Sequence, residues 1–478
     1  MKICMFLRNH FIHDTRVIKE ARSLIAAGHE VKVIALWEEG LPALEVREDG
    51  IIVQRIGRPK NIYKRAPLSF TQLDLLLYFG RPWATDKLGK NELRSQWVFA
   101  LGRFLSFAFL LKLYRLRVFT WVLMAVTVPF LLIGGIGLFA IRLVFMLTSQ
   151  LRRIYNVSKR KSIFCSSSYD DFIEAGVQSG ADVIHAHDLF TLLPAVLTAR
   201  KIGAKIVYDS HELFVDRNAR ESFLRRWKWI LLETPLIREV DAIITVSDSI
   251  AEALVDRYRI RRPAVIRNVQ EYHPPHRSTE LRKAQELRNV ADGDCIAVYA
   301  GGITRGRGLN QLVEAAQYLE GGVIVMLGRS ANGSYKEELL KKISSLGLER
   351  KVFLLPPVAP DLVHQYLCSA DIGLMPTEDV CLSYRYGAGN KLFHYLMAGL
   401  PVVVSDQPEK RKIVQQYNVG RVCKAEDPQN IARAIQDLVD HTEVRRQLSL
   451  NCLEAAKILN WENEEKKLLE LYQKILIE

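Results

Sequence analysis

The sequence predicts an α/β chain of two Rossmann-like domains that face a cleft, with a helical membrane-binding segment inserted in the N-terminal domain. Short apolar runs typical of buried strands alternate with amphipathic helical stretches along most of the 478 residues. A polar stretch with adjacent prolines at 267–283 divides this alternation into two series. From Leu93 to Tyr169 the alternation stops, and 77 residues contain no Asp or Glu but eleven Lys or Arg.

The first series opens with a β-loop-α-β unit, the usual start of a doubly wound parallel sheet. A matching unit follows the acid-free segment, and two further short β segments come after it. The predicted strands are Lys2–Leu7, Glu30–Ala35, Ala181–Ala186, Lys205–Tyr208, Ala242–Val246 and Ala264–Ile266, and the predicted helices are Thr15–Ala27 and Thr191–Ile202. The N-terminal domain is therefore expected to span 1–268, with the inserted segment at 91–161.

The second series begins after the polar linker and has the same alternation. Its predicted strands are Cys295–Ala300, Val323–Leu327, Val352–Leu355, Ile372–Met375 and Pro401–Val404, and its predicted helices include Leu309–Tyr318 and Lys391–Ala398. This C-terminal domain is expected to span 269–455, and an amphipathic helix at 456–478 follows it. Two such domains would hold a ligand in the cleft at the C-terminal ends of their strands.

Charge and cysteine usage narrow the class of partner. The net charge is +13, but the acid-free segment contributes eleven of these charges and leaves only +2 for the rest. A basic excess that is local and mixed with apolar residues favours an anionic membrane surface over nucleic acid.

Seven scattered cysteines without a C-x-x-C pair indicate reduced thiols rather than disulfides or a zinc site. The opening MKICMFL reads as a strand rather than a signal peptide, so the catalytic body is expected in the cytoplasm.

The inserted segment has two parts. Phe119–Ile141 is uncharged for 23 residues, enough to cross a bilayer of about 30 Å, but the strands on either side must lie on one side of the membrane to pair. Pro129 and Gly134-Gly135 favour a re-entrant hairpin, and Arg94–Arg117 upstream is typical of a basic interfacial helix. A two-helix span, a buried hairpin and a dimer interface remain alternatives. The expected membrane contacts are Trp97, Arg103, Phe104, Trp121 and Phe130, which predicts a monotopic or peripheral protein at the cytoplasmic face of the cell membrane.

Two blocks in the second series are suited to binding a diphosphate. In CIAVYAGGITRGRGLNQLVEA, glycines let the backbone approach a ligand, two arginines can clamp phosphates, and a helix N-terminus favours an anion. The pattern matches neither Walker A nor G-x-G-x-x-G, and a tight turn with solvent-exposed arginines is the alternative. In YGAGNKLFHYLMAGLPVVVSDQPE, a second helix N-terminus would point at the same cleft.

These blocks, in this order and some 80 residues apart, resemble glycosyltransferase family 4 and its GT-B fold. The stretches RNHFIHDTRVIKEARSLIAAGHEVKVIAL, DVIHAHDLFTLLPAVLTARKIGAKIVYDSHELF and ITVSDSIAEAL resemble the family's acceptor-side domain. The terminal helix with Trp461 is similar to one that crosses back to that domain. The resemblance covers nearly all of the chain except about 60–165. It implies a retaining, metal-independent transfer of a sugar from a nucleotide-diphosphate donor, without a cofactor.

The resemblance also assigns roles to individual residues. It implies donor contacts from Gly301, Gly302, Arg305, Arg307, Asn390 and Lys391, catalytic positions at His187 and His211, and acceptor-side positions at His13, Arg16 and Glu212. Many members have two glutamates where this chain has Tyr386 and His394, and we count both among the donor-side residues because His394 can still hydrogen-bond to a ribose hydroxyl. No metal site is expected, since the basic residues would neutralise the diphosphate.

The sequence thus favours a membrane-associated glycosyltransferase acting on a lipid-linked acceptor, most simply a polyprenyl-diphosphate-linked saccharide. Two alternatives remain from the residues alone. The loss of acids at Tyr386 and His394 would suit a catalytically inactive GT-B scaffold in a glycan-assembly pathway. A nucleotide-sugar epimerase would share the same fold.

Overall fold

The computed structural model describes residues 1–57, 169–217, 222–274, 276–330 and 333–477. The chain divides into two compact units, Met1–Arg55 with Gly176–Glu478, and Ile56–Ala175. Both sheets lie in the first unit, apart from Ile56 at the end of one strand. The predicted membrane contacts at Trp97, Arg103, Phe104, Trp121 and Phe130 lie outside the described residues. Among the described helices, none has the length and apolar character needed to cross a membrane.

The first sheet has eight strands in the order β3-β4-β2-β1-β5-β6-β7-β8. Its strands are β1 Lys2–Phe6, β2 Glu30–Leu36, β3 Leu44–Val46, β4 Ile52–Ile56, β5 Val183–His187, β6 Lys205–Ser210, β7 Ala242–Thr245 and β8 Ala264–Val265. Pairing is parallel from β2 through β1 to β8, whereas β3 and β4 form an antiparallel pair at the edge. Its helices are Thr15–Ala26, Tyr169–Ser179, Leu189–Ile202, Phe223–Leu236 and Asp248–Tyr258, with a 3₁₀ turn at Phe214–Asp216.

The second sheet has six parallel strands in the order β11-β10-β9-β12-β13-β14. They are β9 Ile296–Ala300, β10 Val323–Leu327, β11 Val352–Leu355, β12 Ile372–Met375, β13 Val402–Ser405 and β14 Gly420–Cys423. The α-helices around it are Leu309–Ala315, Gly333–Ser345, Val363–Leu367, Leu382–Tyr386, Asn390–Met397, Pro408–Tyr417, Pro428–Asp440 and Thr442–Ile458, and short 3₁₀ turns lie at Leu281–Lys283, Gln285–Leu287 and Ala316–Tyr318. Every residue of β9, β10, β12 and β13 is buried, as expected for a parallel sheet covered on both faces.

The last helix, Trp461–Ile477, returns to the first sheet. The Trp461 indole N–H donates to Ser23 Oγ at 3.0 Å, and the Tyr472 hydroxyl lies 2.9 Å from His185 Nδ1. Leu468 and Tyr472 are buried in the same core cluster as β1 and β2. This helix therefore connects the two sheets a second time, which fixes the geometry of the cleft between them.

Candidate active site

A cleft of about 840 Å³ lies between the two sheets, at the C-terminal ends of their strands. This is where a doubly wound sheet binds its ligands. The first sheet contributes the loop after β1 and residues that follow β6 and β7, and the second contributes the loops after β9 and β12. The lining residues are Asn9, His10, Phe11, Ile12, His13, Asp14, Thr15, Arg16, His211, Glu212, Val246, Ile250, Asn268, Arg307, Met375, Ser383, Gly387, Gly389, Asn390 and Lys391.

The loop after β1 is held by two short polar side chains. Asp14 caps the helix Thr15–Ala26, because its carboxylate accepts from the Val17 N–H at 3.3 Å. The same carboxylate accepts from Asn9 Nδ2 at 2.8 Å, and Asn9 Oδ1 accepts from the Phe11 N–H at 2.8 Å. Phe11 has a left-handed backbone conformation with φ 51°. These bonds fix the loop so that His13, which is exposed, lines the cleft.

Arg16 lies at the base of the cleft, where buried groups engage its guanidinium. Its guanidinium makes two hydrogen bonds to Asp209, from Nε at 2.8 Å and from Nη2 at 3.0 Å, and a third to the Ile266 carbonyl at 3.0 Å. Glu20 Oε1 lies 3.0 Å from Arg16 Nε, and both side chains are buried. Although Arg16 borders the cleft, its donors are engaged by these groups. Arg16 is therefore held as a structural cation at the base of the cleft, and its acceptor-side role stays a prediction.

The two carboxylates beside Arg16 differ in protonation. Burial would raise the pKa of Asp209, but Arg16, His211 and hydrogen bonds from both nearby histidines hold it well below its usual value. Burial raises the pKa of Glu20 to about 8 against the opposing effect of Arg16, and Asp209 adds to the rise. At neutral pH Asp209 is ionised and Glu20 is mainly neutral, so one carboxylate balances the guanidinium.

His211 lines the cleft one residue beyond the end of β6 and is 21% exposed. Its Nε2 lies 3.1 Å from Asp209 Oδ2, and its Nδ1 lies 3.6 Å from Asp188 Oδ2. Burial disfavours the charged imidazole, but Asp188 and Asp209 raise the pKa of His211 to about 10. His211 is thus an imidazolium at neutral pH. Its positive charge is balanced by the neighbouring carboxylates, and it is not available as a proton acceptor.

His187 lies behind His211 rather than at the cleft. It is still part of β5, where it pairs with Asp209 across the sheet, and its side chain is fully buried. His187 Nδ1 lies 3.1 Å from His211 Nε2, and its ring stacks on His185 at 4.2 Å because residues two apart share one face of a strand. Burial lowers the pKa of His187. The prediction that both histidines face the cleft is therefore wrong for His187, which positions His211.

Of the two acids in this cluster, Asp209 was missed from the sequence, whereas Asp188 was noted as the acid beside His187. Asp188 has φ 62°, a strained conformation for a non-glycine residue, and its carboxylate lies beside His211. Asp209 stands two residues before His211 in the D-S-H-E run, and that proximity was the available signal. Its main partner, Arg16, is 193 residues away in the chain.

On the opposite wall, Arg307 is held in the cleft by the glycines beside it. Gly306 and Gly308 have φ of 81° and 73°, and a Cβ on Gly308 would lie 1.9 Å from the Pro376 carbonyl oxygen. The Gly308 N–H donates to Glu378 Oε1 at 3.1 Å, which fixes the loop. The Arg307 guanidinium lies 4.4 Å from the centre of the Tyr384 ring.

Lys391, in the first turn of the helix Asn390–Met397, extends toward Arg307. Gly301 has φ 148°, which L side chains rarely adopt, and a Cβ there would lie 2.0 Å from Lys391 Cε and would push this side chain aside. Burial, together with the charges of Arg307 and Lys410, lowers the pKa of Lys391 to about 7. Burial and the charge of Arg307 also lower the pKa of Lys410 to about 7. The Lys410 ammonium donates to the Tyr384 and Gly387 carbonyls, both at 3.1 Å.

The charge of this wall is not balanced. Within the described part of the chain, no carboxylate forms an ion pair with Arg307 or Lys391. Arg307 lowers the pKa of both Lys391 and Lys410, and a multiply charged anion would stabilise this group of neighbouring cations. Asn390 lies beside Lys391 at the same helix N-terminus and also lines the cleft.

Four predicted donor residues lie elsewhere. Arg305 is 58% exposed and pairs with Glu338, so the solvent-exposed alternative holds for this arginine. The Tyr386 carbonyl accepts from Ser247 Oγ at 2.8 Å, and burial lowers the pKa of the half-buried His394 to about 4. The Gly302 carbonyl accepts from the Tyr299 hydroxyl at 2.8 Å. None of these four, nor Gly301, is among the described residues that line the cleft.

Two family models match this chain. One, described as glycosyl transferases group 1, covers residues 282–453, and the other, glycosyltransferase family 4, covers residues 149–269. The chain belongs to the group 1, family 4 glycosyltransferases. The recognition made from the two glycine-rich blocks is confirmed, and this family 4 glycosyltransferase is an enzyme of the transferase class.

Curated relatives agree with the family models. A D-inositol 3-phosphate glycosyltransferase from a Nocardioides species is 22% identical over 319 residues, which is 61% of this chain and 67% of that protein. The protein of the same name from Stackebrandtia nassauensis is 25% identical over 305 residues, covering 61% of this chain and 68% of that one.

Solved structures show the same fold. Sucrose-phosphate synthase from Thermosynechococcus elongatus matches with a TM-score of 0.67 and 14% identity over 100% of this chain and 99% of that one. Anabaena Alr3699/HepE, solved with UDP and glucose, matches with a TM-score of 0.66 and 13% identity over 99% and 100%. The predicted GT-B fold of two Rossmann-like domains is therefore confirmed for this family 4 glycosyltransferase.

Proposed function

We propose that this glycosyltransferase moves a sugar, with retention of configuration, from a nucleotide-diphosphate donor to a lipid-linked acceptor, most simply a polyprenyl-diphosphate-linked saccharide. The reaction would take place at the cytoplasmic face of the membrane. The observation that carries the proposal is the unpaired cationic wall formed by Arg307 and Lys391, with Lys410 behind them. Anabaena HepE, a fold neighbour, was solved with UDP-glucose, which supports this donor class.

In the proposed reaction, the bond between the anomeric carbon of the donor and its phosphate oxygen breaks. The acceptor hydroxyl attacks on the same face, and its proton passes to the departing phosphate oxygen. Arg307 and Lys391 would stabilise the charge that develops on the diphosphate, so the proposal requires no metal ion in the cleft. His211 is already protonated, since its pKa is raised to about 10, which fits a route in which the phosphate takes the proton.

The acceptor would bind on the wall formed by the first sheet, where His13 and Glu212 line the cleft. Burial and Asp188 raise the pKa of Glu212, so its carboxylate is a more basic hydrogen-bond acceptor for a hydroxyl than an unperturbed one. The acid-free basic segment at 93–169 supports an acceptor presented by an anionic membrane. A further fold neighbour, WaaG, is a glycosyltransferase involved in lipopolysaccharide biosynthesis.

The donor half of the proposal is tested by screening UDP-, GDP- and ADP-sugars for thermal stabilisation of the full chain, followed by calorimetry with Arg307→Ala. A lost charged hydrogen bond to phosphate should cost about 2 kcal/mol, or about 30-fold in affinity. The matched control is Arg305→Ala, which removes an arginine of the same loop that is exposed and paired with Glu338. Equal losses in the two variants would contradict the assignment of Arg307 to the site.

The membrane half is tested separately by co-sedimentation with vesicles. Vesicles containing phosphatidylglycerol should retain the protein, vesicles of phosphatidylcholine alone should retain less, and salt should weaken the binding. A protein that stays in the supernatant with both vesicles would overturn the membrane assignment without affecting the donor assignment.

A catalytically inactive GT-B scaffold is the second candidate. It is favoured by the departures at Tyr386 and His394, neither of which supplies an acid to the cleft. Failure of every nucleotide sugar to bind would support the scaffold. Turnover of a bound sugar nucleotide without any acceptor would instead support an epimerase.

A further inference from the structure

Three histidines and one cysteine converge outside the cleft, where the linker between the two domains passes over the second sheet's helices. His364 and Cys368 stand one helical turn apart at the helix Val363–Leu367, and His364 Nε2 lies 3.5 Å from Cys368 Sγ. His276 comes from the linker, and its nearest ring nitrogen lies within 4.8 Å of both of those atoms. The His273 ring centroid is 5.3 Å from that of His364.

We propose that His276, His364 and Cys368 bind a divalent metal ion of the zinc type, with His273 as the fourth ligand. Imidazole nitrogen and thiolate sulfur are the ligands that zinc favours in proteins. At Zn–S of about 2.3 Å and Zn–N of about 2.0 Å, two ligands of a tetrahedral ion stand about 3.5 Å apart. The observed separation between His364 Nε2 and Cys368 Sγ is 3.5 Å.

Half of this site is formed before the metal binds. The Cys368 N–H donates to the His364 carbonyl at 2.9 Å, so the helical turn sets the spacing of the two side chains. His276 and His273 are exposed and can turn their rings without displacing packed neighbours. A metal ion would therefore need only side-chain rotations in the linker to complete its coordination.

The charges around the cluster favour a metal over an ion pair. Among the described residues, no carboxylate lies within ion-pair distance of His273, His276 or His364. The ligand atoms that converge here are therefore imidazole nitrogens and a thiol sulfur, without a competing carboxylate. The buried group of Glu20, His185, His187 and Asp209 is excluded as a metal site because the Arg16 guanidinium already supplies its cation.

Metal binding would add a tether to the interdomain linker. The Ser278 N–H donates to the Cys368 carbonyl at 3.4 Å, which is a weak contact between the linker and this helix. A metal joining His276 to His364 and Cys368 would close the same connection with coordinate bonds. A zinc-type site at this position departs from the sequence-based expectation of reduced thiols without a zinc site, which rested on the lack of a C-x-x-C pair. His364 and Cys368 are instead spaced H-x-x-x-C on one helical face.

The test uses the full chain, stripped of metal and then titrated with Co²⁺ and Zn²⁺. Wild-type protein should bind one equivalent of Co²⁺ with the intense visible bands of a tetrahedral site and a sulfur-to-cobalt charge-transfer band, both displaced by Zn²⁺. Cys368→Ser should remove the charge-transfer band, and His364→Ala should weaken Zn²⁺ binding by more than the 10- to 100-fold that outer-shell partners are worth. His273→Ala should convert the tetrahedral spectrum toward one with a water ligand.

Two matched variants serve as controls for these measurements. Cys381→Ser removes another half-buried free thiol, and His441→Ala removes an exposed histidine that lies beside Asp437. Neither should change the spectrum or the affinity, and circular dichroism should show that every variant is folded. Wild-type binding no tighter than that of His364→Ala would overturn the proposal, as would a charge-transfer band that survives Cys368→Ser. Donor binding in the cleft does not enter these readouts, so the result is independent of the proposed activity.

Discussion

Asp209→Asn is the most direct test of the charge cluster beneath the cleft. The Asp209 carboxylate accepts two hydrogen bonds from Arg16, at 2.8 and 3.0 Å, and lies 3.1 Å from His211 Nε2. Asparagine keeps the shape but removes the charge, and its amide nitrogen would face a donor. Because Arg16 and Asp209 are buried, at 3% and 0% side-chain exposure, water cannot replace the lost bonds. The expected loss is about 3–5 kcal/mol of the free energy of unfolding.

The loss of unfolding free energy in Asp209→Asn should depend on pH, in a direction set by the pKa values of Asp209 and Glu20. Asp209 has a folded-state pKa below its ordinary value, so its stabilisation is present above about pH 4 and is lost as the pH falls toward the folded pKa. Glu20 has a folded-state pKa raised to about 8, so its effect on stability is favourable at low pH and is lost as the pH rises from about 4.5 to 8. In the variant, Glu20 no longer faces Asp209, ionises more readily and pairs with Arg16. The difference from wild type should therefore be largest near pH 5 and smaller at pH 8.

The measurement is urea unfolding followed by circular dichroism at several pH values. The matched control is Glu338→Gln, which breaks the exposed pair between Arg305 and Glu338, with side chains 58% and 43% exposed. Such surface pairs contribute about 0–1 kcal/mol. Equal losses in the two variants, or a difference that grows from pH 5 to pH 8, would refute the assignment of Asp209 as the ionised partner of Arg16.

Three further predictions concern the cleft. Gly301→Ala places a methyl group 2.0 Å from Lys391 Cε and should weaken UDP binding at least about tenfold by calorimetry, whereas Gly302→Ala, with its nearest atom 3.8 Å away, should not. Because the pKa of Lys391 is about 7, UDP affinity should fall as the pH rises from 6 to 8. Lys391→Arg should make the affinity less dependent on pH, because arginine stays charged over this range. An unchanged pH dependence in this variant would contradict the assignment of Lys391 to the diphosphate site. Asp188→Asn removes one of two acids that raise the pKa of His211, so kcat/KM of the variant should decline above about pH 8 where wild type stays level.

The fold was most predictable where burial left a continuous apolar run. The predicted strands Val323–Leu327, Val352–Leu355 and Ile372–Met375 have the same bounds in the structure, because parallel strands covered on both faces are apolar throughout. The antiparallel pair of β3 and β4 was not predicted. Leu44 and Val46 of β3 are 63% and 71% exposed, so this short edge strand has no buried face to produce a pattern.

The site was predictable only where its signal is local in the sequence. Arg307, Asn390 and Lys391 line the cleft because glycines and a helix start fix the backbone within a few residues of each. The carboxylate that holds Arg16 was not predicted as its partner, because Asp209 comes from a distant strand. His187 was misplaced because β5 includes it, level with Asp209, whereas His211 lies two residues further along and beyond the end of β6.

The cationic side chains on the two walls of the cleft differ in whether carboxylates neutralise them. This difference indicates which substrate binds to each wall. On the wall of the first sheet, Arg16 is neutralised by Asp209, and His211 lies between Asp188 and Asp209, so little positive charge is left for a strongly anionic ligand. On the other wall, Arg307 and Lys391 lack acidic partners among the described residues, and the charge of Arg307 lowers the pKa of Lys391. A diphosphate would relieve that repulsion only on the second wall. An acceptor hydroxyl, which carries no charge, suits the first wall, where its proton cannot be taken by the already protonated His211.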